Sequence, residues 1–286
     1  MMKAEQKYLV AVSGGVDSVV LLDMLAHRAE YDITVAHFDH GIREDSQDDA
    51  RFVEGLAAHY SLPFVMLREE LGASVSEEKA RDRRYAILRS EAAKRNAMIV
   101  TAHHADDIIE TMAINTMRGT GWRGIAVLDT PGIARPLLGV TKKEIREYAL
   151  KKRLEWVEDS TNIETIYLRN RLRRKISQQL PTEQKKRLLE LWHSQLELKK
   201  SIDIETGRWV QPDACYSRHP FIMIGREPAR EILRRAILAV VGQNMTRPQL
   251  DRSLLAIKTA LPGSVFEAGG GVRLRFSQRN FVVETP

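Results

Sequence analysis

The sequence predicts an α/β protein: a doubly wound parallel sheet, a helical connector, and a smaller α+β domain at the carboxyl end. Three observations predict it. Over the first 140 residues, short runs that are apolar throughout alternate with longer amphipathic ones, as in a parallel sheet covered by helices on both faces. After about Gln179 that alternation stops, and one amphipathic stretch, Thr182–Lys200, reads as a long helix. Between Ser264 and Glu284, apolar alternation is interrupted by Gly269, Gly270 and Gly271, as in a small antiparallel sheet.

The elements follow in order. Lys7–Val12 (KYLVAV) reads as a buried strand and Val19–Arg28 as the helix after it. Asp32–Phe38 is a second strand, 48–59 a helix, and Pro63–Leu67 a third strand. Ser74 and Glu77 have capping-box spacing for a helix running to about Arg95. Ala97–Ala102 is a fourth strand, Asp106–Met117 a helix, and Ile133–Leu138 a fifth strand. Thr141 with Glu144 caps the next helix, and 227–241 and 247–260 read as helices of the tail. The expected domains are therefore 1–180, a helical linker 181–205, and 206–286.

Composition narrows the function. The chain has 286 residues, 43% hydrophobic and 29% charged, which is ordinary globular material. No apolar run approaches the ~20 residues that span a bilayer, and no basic segment followed by an apolar one opens the chain, so neither a membrane span nor a secretory signal is expected. The single cysteine, Cys215, excludes an internal disulfide and any CxxC pair, which points to a reducing cytoplasm. Between Lys142 and Lys200 there are 16 Lys or Arg against 9 Asp or Glu, so this segment carries the whole of the chain's +6 excess. Such a stretch suits a polyanion, although a solvated helical surface would look the same.

Ser13-Gly14-Gly15-Val16-Asp17-Ser18, between a strand and a helix, is a phosphate site by geometry. Two glycines let backbone N–H groups approach an anion, Ser13 and Ser18 add hydroxyls, and the helix N-terminus adds positive potential. No GK[ST] follows, so this is not a Walker A loop. A carboxylate facing phosphate is repulsive unless Mg²⁺ lies between, so Asp17 suggests a metal-bound pyrophosphate. Helix capping alone would account for Asp17 and Ser18, but not for all six residues in this setting. The loop resembles the signature of the N-type ATP pyrophosphatases, which cleave ATP to AMP and pyrophosphate, and this implies an adenine nucleotide α-hydrolase-like sheet.

Further segments are specific to a substrate. Val35–Arg43 (VAHFDHGIR), Ala80–Tyr85 (ARDRRY), Thr101–Thr111 (TAHHADDIIET), Arg118–Gly121 (RGTG), Arg135–Leu138 (RPLL), Glu158–Asn162 (EDSTN) and Arg169-Asn170-Arg171 occur in this order. In order and spacing they resemble the tRNA(Ile)-lysidine synthases, from the first strand to about Arg173 and more weakly through the tail. The length fits that family's short form. The resemblance implies conversion of the wobble cytidine of a CAU-anticodon tRNA(Ile) to lysidine, with ATP, Mg²⁺ and free L-lysine. Asp107 and Glu110, at i and i+3 on one helix face, would be the lysine-binding pair, with Arg84 on the α-carboxylate. His37 and Phe38 would lie by the adenine, and Arg118 and Gly119 on the far side of the nucleotide. Asp106 would cap its helix or assist the metal. Arg169, Arg171, Arg173, Arg174 and Lys175 would contact the tRNA backbone, and the tail domain would read the tRNA stem.

His103 and His104 invite a zinc reading, but neighbours at a strand end point in opposite directions, so both cannot easily face one ion. Other substrates remain as rivals. A tRNA thiolase on the same loop usually needs cysteine pairs or an iron–sulfur cluster. An amide or purine synthetase commonly brings an ammonia-generating domain or partner. An RNA-binding protein with a dead nucleotide site would not keep the whole loop with Asp107 and Glu110. The oligomeric state stays open, a homodimer included.

Overall fold

The computed structural model describes residues 2–39, 46–69, 77–158, 172 and 180–285. The chain divides into two compact units, the first made of Met1–Gly119 with Val127–Trp192, the second of Thr120–Ala126 with His193–Pro286.

The first unit is built on five strands: β1 Lys7–Ala11, β2 Asp32–Asp39, β3 Phe64–Arg68, β4 Ala97–Val100 and β5 Ile133–Ala134. All pair in parallel, in the order β3-β2-β1-β4-β5. The helices between them are α1 Val16–Ala26, α2 Ser46–His59, α3 Glu77–Arg95 and α4 Ala105–Met117, and α5 Lys142–Lys152 follows β5. Both faces of the sheet are covered, which is why its strands lack polar alternation. Val16, Val20, Leu21, Val53, Ile145 and Ala149, from α1, α2 and α5, pack on one face. Leu88 and Ala92 of α3 pack on Leu9, Ala36 and Ile99 on the other. Sequential strands run outward from β1 in one direction and then resume at β4 on its other side. The reversal opens a crevice between the carboxyl ends of β1 and β4, the place where ligands bind in open α/β sheets.

β5 is shorter than its apolar run suggests. Pro136 has no N–H to give a ladder, and the Arg135 side chain turns back to donate to the Leu128 carbonyl at 2.8 Å. The Thr141–Glu144 capping box forms as expected, with Thr141 N–H donating to Glu144 Oε2 at 2.7 Å. Ser74, by contrast, lies outside the described residues.

The segment expected as a linker is one helix, α6 Thr182–Gly207, whose residues up to Trp192 belong to the first unit and the rest to the second. The second unit continues with β6 Cys215–Ser217, α7 Arg218–Met223, α8 Arg226–Val241, α9 Arg247–Thr259, β7 Val265–Gly269, β8 Val272–Phe276 and β9 Asn280–Glu284. Its antiparallel sheet has the order β6-β9-β8-β7 and packs Leu274, Phe276 and Phe281 against Leu233, Ile237 and Ile257 of α8 and α9. β6 is too short to have given a period-2 signal. At the β7–β8 turn Gly269 has φ +85°, a conformation that L side chains rarely adopt, so the backbone there favours glycine. No helix among the described residues is long and apolar enough to cross a membrane.

Candidate nucleotide and acceptor site

The loop after β1 opens the crevice on one side. Val12 still pairs with β2 through its N–H and the Ala36 carbonyl at 2.8 Å. The buried His37 ring then donates from Nδ1 to the Val12 carbonyl at 2.9 Å, pinning the point where the loop leaves the sheet. Gly14 has φ +92°, a conformation an L side chain would strain. Its carbonyl accepts from Val157 N–H at 3.0 Å. Ser18 Oγ accepts from Ser13 N–H at 3.1 Å and donates to the Gly15 carbonyl at 2.8 Å, closing the loop on itself. Gly15 is the N-cap of α1 but offers no side-chain cap, and Ser18 N–H bonds the Gly15 carbonyl at 3.0 Å, so among the described residues the N–H groups of Val16 and Asp17 remain for another acceptor.

The turn after β4 forms the other side. His104 is the N-cap of α4, and Asp107 completes a capping box by accepting His104 N–H at 2.9 Å. The His104 ring is buried, with Nε2 3.5 Å from Asp107 Oδ2 and 3.8 Å from Asp17 Oδ2, and its Nδ1 has no partner among the described residues. His104 thus links the phosphate loop to α4. Glu110 lies one turn beyond Asp107 and is 2% exposed. Asp106 caps a different helix from the one expected: its Oδ2 accepts the N–H of Lys142, the first residue of α5, at 2.9 Å. Its Oδ1 accepts Lys185 Nζ of α6 at 2.7 Å.

Two lysines that sequence reasoning missed therefore reach the site. Lys142 Nζ donates to Asp17 Oδ1 at 2.5 Å, and both side chains are about one-third exposed. A signal for it existed: Lys142 directly follows the cap Thr141, and a cation at a helix N-terminus opposes the macrodipole. The placement of α5 beside α1 rests on the buried Asp23, which accepts Tyr60 and Tyr148 hydroxyls at 2.7 Å each. Desolvation, and then that carboxylate, push the Tyr148 hydroxyl up to about 12.

His103 makes a different contact. Its Nδ1 is hydrogen-bonded to Thr101 Oγ1 at 2.9 Å. Desolvation lowers its pKa to about 3, against the pull of Asp107 and with the help of Arg135, Arg81 and Arg84, so the ring is neutral. Three of the arginines of α3, Arg81, Arg84 and Arg89, stand 5.7–5.9 Å from the Tyr85 ring centre. Arg81, Tyr85, Arg89 and Arg135 line a cavity of about 280 Å³. Burial holds the Arg135 guanidinium below its ordinary range.

The structure therefore brings Ser13 to Ser18, including Val16, together with Asp107 through His104, and sets Glu110 on the same helix. Arg84 belongs to the charge cluster beside His103. Phe38 is next to His37 on β2. Arg118 and Gly119 lie at the opposite end of α4 from Asp107, Arg118 as its exposed C-cap and Gly119 with φ +69°. Arg169, Arg171, Arg173, Arg174 and Lys175 lie outside the described residues.

A PP-loop domain family matches residues 1–180. The chain belongs to that family. Among curated relatives, a tRNA(Ile)-lysidine synthase of Actinobacillus pleuropneumoniae serotype 3 is 34% identical over 179 residues, 60% of this chain and 42% of that protein. One of Thermosipho africanus is 38% identical over 191 residues, 62% of this chain and 44% of that protein. The chain thus spans less than half the length of these PP-loop relatives. Among solved structures, a U34-tRNA thiolase of Methanococcus maripaludis with a [4Fe-4S] cluster superposes with TM-score 0.58 at 16% identity, over 68% of this chain and 73% of that one. That likeness is one of fold. Among the described residues, no group of three or more His, Cys, Asp or Glu side chains is arranged to hold a metal ion.

Proposed function

We propose that this PP-loop protein is a tRNA(Ile)-lysidine synthase, joining free L-lysine to C2 of the wobble cytidine of a CAU-anticodon tRNA(Ile). The observation that supports the reading is the link through His104 between Asp17 of the Ser13–Ser18 loop and Asp107 of α4, the helix that also carries Glu110, in a domain whose relatives at 34–38% identity bear that name. An ATP loop alone would serve many adenylating enzymes. Placed next to two buried carboxylates, it suits activation of one substrate followed by capture of an amine.

The chemistry follows from the leaving group. The C2 oxygen of cytosine leaves poorly, and its adenylation turns departure into loss of AMP. The N–H groups at the start of α1 and the hydroxyls of Ser13 and Ser18 would hold the phosphates. His37 and Phe38, at the end of β2, would flank the adenine, and Arg118 and Gly119 would close the far side. Asp17 fits Mg²⁺, an ion commonly held by one or two carboxylates together with substrate phosphates, because its carboxylate is partly exposed at the loop. The ion would neutralise charge between Asp17 and the pyrophosphate.

Free lysine arrives mostly protonated, its reference pKa being near 10.4. Asp107 and Glu110 would hold that ammonium, and Arg84 with its neighbours on α3 would take the α-carboxylate. A neutral His103 beside them adds no competing charge. Residues 1–180 would form the catalytic domain, 181–205 the linker and 206–286 a tRNA-binding domain, with Arg169, Arg171, Arg173, Arg174 and Lys175 on tRNA phosphates. Such an enzyme would work in the cytoplasm. Incubation of purified tRNA(Ile) bearing CAU with ATP, Mg²⁺ and lysine, followed by nucleoside mass spectrometry, tests the reading: lysidine is expected, and unmodified cytidine in a preparation that hydrolyses ATP would refute it.

A further inference from the structure

Arg81, Tyr85 and Arg89 recur every fourth residue of α3, so they form one stripe along that helix. The guanidiniums of Arg81 and Arg89 stand 5.8 and 5.9 Å from the Tyr85 ring centre. Arg135, just beyond β5, lines the same cavity of about 280 Å³. Three cations gathered in one cavity repel one another, and the one acid of its lining, Asp82, is exposed. Among the described residues neither Arg81 nor Arg89 pairs with a carboxylate. Their neighbour Arg83 does, with Glu69 at 3.4 Å. Arg135 is held in place from behind: Nη1 donates to the Leu128 carbonyl at 2.8 Å and Nη2 to Thr130 Oγ1 at 3.4 Å. The Tyr85 oxygen favours its charged form. Yet neither the buried Tyr85 hydroxyl nor Arg135 Nε has a partner at hydrogen-bond geometry among the described residues. A cation over a tyrosine face gains some energy, but that does not explain a further guanidinium brought in from another element. Like charges and spare donors together suit an anionic ligand.

Charge and position select the anion. Free lysine carries two ammoniums for one carboxylate, and the lining of this cavity offers no buried acid to receive either. The phosphates of ATP belong at the Ser13–Ser18 loop after β1, whereas Arg135 follows β5, two strands away in the sheet and so about 10 Å off. The remaining anionic reactant is the RNA strand, whose backbone carries a negative charge at every phosphate and no ammonium. Arg81 and Arg135 also act on the charge of His103, so the cavity lies toward the acceptor side of the site. We propose that Arg81, Arg89, Arg135 and the Tyr85 hydroxyl bind a backbone phosphate of the substrate RNA and thereby fix the register in which the strand presents its reacting base. The proposal rests on the RNA-modifying reading above.

The test is equilibrium binding of the whole chain to a CAU-anticodon tRNA(Ile) transcript at several salt concentrations, for wild type and for Arg81→Gln combined with Arg89→Gln. Arg83→Gln combined with Arg95→Gln is the control, since it removes equal charge from the same helix at residues that pair with Glu69 and Glu91 outside the cavity. Loss of the phosphate contact should weaken tRNA binding about ten- to a hundredfold. It should also lower the slope of log affinity against log salt by about 0.7–0.9 more than in the control. MgATP affinity and the KM for lysine should stay at their wild-type values. A site for free phosphate would instead bind inorganic phosphate in wild type, lose it in the cavity variant and leave tRNA affinity untouched. A lysine subsite would raise the KM for lysine with tRNA affinity intact. Either pattern overturns the proposal, as does a salt slope no lower than in the control. Thermal melting checks folding, and should the cavity variant not fold, Arg89→Gln alone, an exposed position, takes its place under the same criteria. Weakened tRNA binding in a protein that forms no lysidine would leave the phosphate site assigned and refute only the choice of reaction.

Discussion

Two of the protein's charge clusters differ in completeness. In the second unit Arg123 donates to Glu231 Oε2 and Asp203 Oδ1, each at 2.8 Å, and Arg234 donates to the same two acids at 3.0 and 2.8 Å. Two guanidiniums meet two carboxylates, and each cation serves both anions. Burial would lower the Arg123 pKa, but Glu231 and Asp203 outweigh it and hold it above the ordinary range. Burial would likewise raise that of Asp203, and the two arginines hold it down. The cluster of Asp17, Lys142, His104 and Asp107 has none of this closure. Among the described residues its ammonium makes a single-point contact with a partly exposed Asp17, and the buried His104 Nδ1 has no partner. A closed, balanced network suits architecture, whereas an open one retains capacity for a ligand.

The comparison can be broken most sharply at Asp17. Asp17→Ala removes the proposed metal ligand and no core contact, so tRNA-dependent pyrophosphate release should fall by three or more orders of magnitude while thermal melting stays within a few degrees. Turnover at the wild-type rate would remove Asp17 from the metal site. Glu110→Gln should have a smaller and more selective effect. Removing one charge at nearly constant shape should raise the apparent KM for lysine about ten- to a hundredfold, as expected for a charge-assisted hydrogen bond worth about 1.5–3 kcal/mol. ATP affinity should barely move. Loss of ATP binding with intact lysine dependence would put Glu110 on the phosphate side.

Arg123→Met probes the closed cluster. It leaves Asp203 and Glu231 with Arg234 alone, which should destabilise the second unit by about 2–3 kcal/mol, somewhat less than the ~3–5 kcal/mol of a fully buried pair because these side chains keep some exposure. Chemical denaturation followed by near-ultraviolet circular dichroism would measure it. MgATP affinity should be unchanged. An unaltered denaturation midpoint would show that the network does not hold Thr120–Ala126 in place.

How much of this was legible in the sequence follows from what local patterns can encode. Strands β1 to β4 and their helices were readable because their apolar runs are long and bounded by turn residues. So was the phosphate loop, because glycine and carboxylate in one strand–helix turn have few other uses. β5 was overestimated, since an apolar run does not report that Arg135 turns back and Pro136 stops pairing. The cap of α4 was misplaced because Asp106 and Asp107 are equivalent by residue type, and only tertiary packing sends Asp106 to the start of α5. Lys142 lies 125 positions from Asp17, and their pairing depends on β5 and α5 returning beside α1. Arg123 is likewise 80 positions from Asp203, and neither carries a motif.

A further effect separates the two units by pH. His103 titrates at about 3 in the folded protein against 6.5 for an ordinary histidine, chiefly through desolvation. Between those values the unfolded chain binds a proton that the native state refuses, so stability is complete above about pH 6.5 and drains as pH falls toward 3. His103→Gln keeps a polar group near Thr101 without a titrating ring, and should flatten this acid limb of the first unit. Arg123 stays charged throughout, and the lowered Asp203 keeps its network ionised until more acid conditions than an ordinary aspartate would allow. Denaturant unfolding of wild type and His103→Gln at several pH values between 7 and 4 should therefore give curves that converge at low pH and separate at neutral pH. Parallel curves across that range would show that His103 is no more desolvated in the native state than in the unfolded chain.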